Sequence, residues 1–165
     1  MQGVFQKGQA ADVENPKDLF QIFHCNVLEI TRQVAGISLT PSPSVEISNA
    51  AVLYLSAFGG YQMELYLYTD KETMTRIAQN MKREPAAKSE TLLYAAEFFN
   101  ILGGHIVSRI NRAYGRTARF KPPVCLDERC RCCGSGSERA MSLSYRWTGG
   151  NVRIEGKFAD GALWM

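Results

Sequence analysis

The sequence predicts an α+β domain, a mostly antiparallel sheet with helices packed on it. Apolar residues recur at helical spacing in three stretches, and runs of strand-forming residues meet at glycine doublets. The order is helix, hairpin, helix, helix, strand, hairpin, which segregates the element types instead of alternating them. With 165 residues the chain can bury one sizeable core and is short for two.

Residues 1–14 are rich in Gln, Gly and Ala without a period and read as a flexible leader; a single domain follows over 15–165. Asn15, Pro16 and Asp18 form a helix start, because a side-chain oxygen caps free amides and the fixed φ of proline suits the first turn. Leu19, Ile22, Phe23, Val27, Ile30 and Val34 then keep helical spacing up to Gly36, a natural stop. Pro41 and Pro43 break any helix, and the β-branched and aromatic residues around Val52, Tyr54 and Tyr66 favour strands. Gly59-Gly60 predicts a tight hairpin between them. Asp70 caps a short helix ending near Lys82, with Met74, Ile77, Ala78 and Met81 on one face. Ser89 is the expected cap of a long helix over about 90–114. Strand character returns at 117–125 and again in RAMSLSYRW and NVRIEGKF, joined at Gly149-Gly150.

The long helix carries the chemistry. At about 100° per residue, Leu92, Ala96, Phe99, Gly103, Ile106 and Ile110 share an apolar stripe that should face the core. Glu97, Asn100, Gly104, Ser108 and Asn111 share the adjacent one. Residues three and four apart are neighbours on a helix, so Glu97 and Asn100 can offer two hydrogen-bonding heads to one partner, with Gly104 leaving room a turn later. The spacing also fits an ordinary solvated face.

Composition narrows the classes. Hydrophobic residues at 45% and charged residues at 21% are those of a globular chain. A net charge of +3 with scattered Lys and Arg gives no reason to invoke nucleic acid, and Arg109, Arg112, Arg116 and Arg119 read as a solvated helix end. No apolar run approaches the roughly 20 residues of a membrane span and the N-terminus is too polar for a secretory signal, so a cytoplasmic protein is expected. Two histidines, His24 and His105, the latter off the Glu97/Asn100 stripe, make a His-based triad or metal site improbable.

Glu97, Asn100 and Gly104 spell E-x-x-N-x-x-x-G. With the hairpin-to-helix stretch AAVLYLSAFGGYQMELYLYTDKETMTRIAQNMKR and the pair Pro122-Pro123 in RFKPPVCL, residues from about 17 to 158 resemble the CheX/CheC family of chemotaxis phosphatases. The resemblance implies that family's fold and removal of the phosphoryl group from the aspartyl phosphate of a CheY-like response regulator. In that setting Asn100 would orient the attacking water and Glu97 would pair with a regulator lysine, with Gly104 and Ser108 at the partner surface. The chain would need no cofactor of its own, since Mg²⁺ belongs to the regulator, and it would form a homodimer. Phe99 departs from the small residue common at its place, and compensated packing is favoured over a distorted site. A second class stays open on the same fold: a non-catalytic module that docks a response regulator or serves the flagellar switch.

The loop at about 125–137 lies outside the resemblance. Its Cys125, Cys130, Cys132 and Cys133 lack paired C-x-x-C knuckles, and adjacent Cys132 and Cys133 would share one tetrahedral ion awkwardly. A metal site and a thiol switch remain possible readings beside the favoured one, a loop of reduced cysteines.

Overall fold

A computed structural model describes residues 16–48, 50–126 and 139–159. The expected leader, the Asn15 cap and most of the cysteine loop fall outside them. Three helices lie along the described chain: α1 (Pro16–Ala35), α2 (Lys71–Lys82) and α3 (Lys88–Tyr114). In α1 the predicted stripe is the buried one, with Leu19, Phe23, Val27 and Ile30 at 3% exposure or less. Gly36 ends it at φ +64°, a conformation that favours glycine, while Asn80 Nδ2 donates to Ala35 O at 2.6 Å.

The strands are β1 (Thr40–Ser42), β2 (Ala51–Gly59), β3 (Met63–Thr69), β4 (Ala118–Phe120), β5 (Val124–Leu126), β6 (Arg139–Trp147) and β7 (Gly150–Phe158). Their order in the sheet is β1-β6-β7-β3-β2-β4, with β5 also on β2, and the described pairings are antiparallel. Alternation sorts the side chains. Leu53, Leu55, Leu65, Leu67 and Ile154 join Phe23, Phe98 and Phe99 from the helices in the main core. The other face carries Tyr54, Tyr66 and Tyr68, whose hydroxyls donate to Glu64 and Glu155. The predicted α+β architecture is the observed one.

Several local expectations change. The strand expected over 117–125 is two short strands separated at Lys121-Pro122-Pro123, and a further short strand, β1, contains Pro41 and pairs with β6. Proline lacks the amide for a full ladder, and such strands survive here at the sheet's margins. Gly59-Gly60 does stand in a hairpin, but the last pair is Ala57↔Met63, so the loop is longer than a tight turn. Gly60 is small for another reason: a Cβ there would come within 3.0 Å of the Thr117 backbone, to which its own amide donates at 2.8 Å. At the second hairpin Trp147 pairs with Gly150, which puts Thr148-Gly149 in the turn. Neither Gly149 nor Gly150 has positive φ; added Cβ atoms would collide with the Trp147 ring and with Asp70 and Thr73 respectively. Asp70 is the cap expected of it, accepting from Thr73 N at 2.7 Å, and it also accepts from Asn151 N at 2.8 Å, which ties α2 to the hairpin.

Ser89 is not the cap of α3. That position falls to Ala87, and Glu90 reaches back to accept its amide at 3.0 Å while pairing with Lys82 Nζ at 2.7 Å. The Lys82 ammonium first, and the Ala87 amide second, hold the Glu90 carboxyl below its usual range. A depressed folded value means that the contribution is full above the unfolded value of 4.5 and fades as pH falls through the folded one. Glu90→Gln is therefore expected to lower the urea midpoint at about pH 7, and by less at about pH 3. A gap of the same size at both would contradict this linkage.

Candidate functional site

The site is built on α3, whose inner face is fixed by packing. Phe99 and Ile106 are wholly buried, with Phe98 and Leu102 at 2% exposure or less. Gly103 seats the helix on β2: a Cβ there would stand 2.8 Å from Leu55 Cδ1. Burial begins only at Ala95, so Leu92, expected on the core stripe, is instead 41% exposed. The period extrapolates correctly around the helix, yet the first two turns carry no buried side chain. The Phe99 ring lies wholly within the main core, away from the face that carries Glu97 and Asn100.

On the outer face Glu97 is exposed and Asn100 half-buried, three residues apart and therefore neighbours on the surface. Among the described residues neither head is tied into a hydrogen bond or ion pair. Ser108 is exposed two turns beyond Asn100. Gly104 is half-buried, and a Cβ on it would lie 3.4 Å from Phe120 Cζ, in ordinary contact. Phe120 of β4 therefore floors the stripe at that turn. This neighbour was not found from sequence, because a pairing of positions 104 and 120 leaves no local period. Asn111 leaves the stripe altogether: its Nδ2 donates to Ala118 O at 3.1 Å and its Oδ1 accepts from Ala118 N at 3.0 Å. Leu93, one turn before Glu97, joins it at 68% exposure, and the same 3.6 period would have placed it there.

The remaining candidates stand apart. His24 Nδ1 is 2.9 Å from the Tyr145 hydroxyl, joining α1 to β6, while His105 is exposed on α3. Arg109 lies 4.0 Å from Glu29, and Arg116 donates to Gly60 O at 3.2 Å, so these cations serve the surface and a turn. Cys125 is exposed on β5, and Cys130, Cys132 and Cys133 lie outside the described residues. Among the described residues no group of three His, Cys, Asp or Glu side chains could hold a metal ion, and no helix is long and apolar enough to cross a membrane.

Shape bears on the substrate. Small ligands are held in concave sites, whereas Glu97 and Asn100 stand on the convex face of a helix. Two open depressions lie elsewhere. One of about 360 Å³ is lined by residues including Phe58, Glu64, Lys121 and Lys157, and one of about 370 Å³ by residues including Arg76, Gln79 and Trp147. Among the described residues neither depression is lined by Glu97 or Asn100, so that face offers a reactant a surface to dock on rather than a pocket to enter.

No protein-family model matches the chain, and no curated protein matches it. Solved structures do. The chemotaxis protein CheX from Vibrio vulnificus superposes with a TM-score of 0.71 at 17% identity, over 85% of this chain and 95% of that one. CheX in a CheX–CheY–BeF₃–Mg complex from Borrelia burgdorferi gives 0.69 at 18%, over 86% and 97%. A CheC-like superfamily protein from Shewanella sp. PV-4 gives 0.68 at 15%, over 86% and 97%. The chain has the CheX/CheC fold.

Proposed function

We propose that the protein is a phosphatase for the aspartyl phosphate of a CheY-like response regulator, acting through the outer face of α3. The observation that carries this reading is an unengaged amide, Asn100, beside an exposed carboxylate, Glu97, on a convex helix whose inner face is locked in the core. The fold is that of CheX, and a relative of that fold is seen in complex with CheY.

The chemistry asks little of such a chain. An acyl phosphate is already a reactive donor, and phosphoryl transfer through a loose, in-line transition state responds chiefly to positioning and electrostatics. The Asn100 carbonyl accepts a hydrogen bond from water while its NH₂ donates toward a phosphoryl oxygen, without adding negative charge there. The water oxygen forms the new bond to phosphorus as the bond to the aspartyl oxygen breaks. A carboxylate and inorganic phosphate result, and the surplus proton passes to the phosphate. Glu97 pairs with the receiver's lysine and so fixes the helix, and with it the amide. Gly104 and Ser108 complete the contact surface. In this reading Mg²⁺ resides in the receiver and offsets phosphoryl charge there. The homodimer implied by the resemblance and a cytoplasmic location, shared with the regulator, belong to the same proposal.

The test is the decay of a phosphorylated CheY-like receiver with and without the protein. Acceleration is expected, and Glu97→Ala should weaken receiver binding and turnover together. Binding without acceleration would replace the enzyme by a docking module.

A further inference from the structure

Leu93 is the most exposed large hydrophobic side chain among the described residues, at 68%. Single apolar residues on a surface are common and need no explanation. Its place on α3 is what distinguishes it. Leu93 stands one turn before Glu97 and two before Asn100, within about 40° of both around the axis and roughly 10 Å along it from Asn100. A protein interface of ordinary size covers about 800 Å² on each partner, a disc of roughly 16 Å radius. Any globular partner that brings a reacting group to Asn100 therefore also covers Leu93.

Resting on the function proposed above, we propose that Leu93 is the apolar anchor of receiver docking, entering a hydrophobic depression on the receiver about 10 Å from its phosphorylated aspartate. The division of labour then runs along one helix face. Leu93 supplies affinity, Glu97 orientation and Asn100 chemistry. Leu92 is also exposed, at 41%, but it points about 100° away and lies off this face. Anchoring by Leu93 selects receivers that carry an apolar depression at that distance, and a receiver with a charged residue there would be refused.

The experiment measures affinity for a CheY-like receiver activated with beryllofluoride and Mg²⁺, together with steady-state turnover of the phosphorylated receiver. Leu93→Ala is expected to weaken binding and raise KM roughly tenfold or more with kcat unchanged, and Leu93→Asp to weaken both further. Leu92→Ala should alter neither. Both leucines are exposed, and an unchanged melting temperature identifies the loss as one of docking. Unchanged affinity in Leu93→Ala, or an equal loss in Leu92→Ala, overturns the anchor while the phosphatase reading stands. If the parent protein binds the receiver without turning it over, the phosphatase reading falls and the affinities still decide on Leu93. A parent protein that binds no receiver overturns both.

Discussion

Asn100→Ala is expected to slow receiver dephosphorylation by about 100-fold while receiver affinity changes little. The argument rests on what the side chain can and cannot do. It stands half-buried on the outer face of α3, with no partner among the described residues, so removing it leaves no buried group unsatisfied. Alanine is a better helix former than asparagine, so the fold of α3 is not at risk. On the proposed function what disappears is the aim of one water, and misplacing a nucleophile in a reaction governed by positioning costs on the order of two powers of ten. Single-turnover decay of the receiver phosphate, measured beside affinity for the activated receiver, separates this from a docking defect. If turnover of the variant stays within about twofold of the parent, Asn100 does not orient the water.

Phe99→Ala should lower stability by about 3–5 kcal/mol. The ring is 0% exposed within the main core, where α3 meets the sheet beside Leu102 and Ile106. Neighbouring Gly103 already brings the helix backbone close to Leu55, so the helix cannot drop further to fill the space. For a domain of this size each kcal/mol lowers the melting temperature by roughly 2–4 °C, which puts the expected fall at about 6–20 °C. Thermal or urea unfolding reads it directly. A melting temperature within about 3 °C of the parent would mean that Phe99 does not hold α3 in place.

Phe99 and Asn100 are consecutive in the chain but lie on different faces of α3, and the sequence already contained that separation. Helical spacing divided α3 into a face with Phe99, Gly103 and Ile106 and a face with Glu97, Asn100 and Gly104, and the structure keeps both. The same spacing misjudged Leu92. Period fixes an angle about the axis, while burial also requires a neighbour at that height. Asn111 failed for a related reason: its side chain is recruited by Ala118 across a turn, a contact that has no period.

By itself the sequence determined what is local: where α1, α2 and α3 run, that Asp70 caps and Gly36 stops a helix, and that two hairpins close near glycine doublets. These outcomes follow from backbone hydrogen bonds, capping groups and apolar spacing within a few residues, and the α+β class follows from their order. Only the tertiary structure decided the rest. Pairings such as Thr40↔Arg146 make strands of three-residue segments that have too little pattern of their own. Gly60, Gly103 and Gly150 are needed for close approach by Thr117, Leu55 and Asp70 rather than for a turn's φ. Phe120 lies under Gly104, and Leu93 is left in solvent beside Glu97. Each depends on which distant segment arrives at that spot, and the free energy of that arrival comes from burying the whole core rather than from any local stretch.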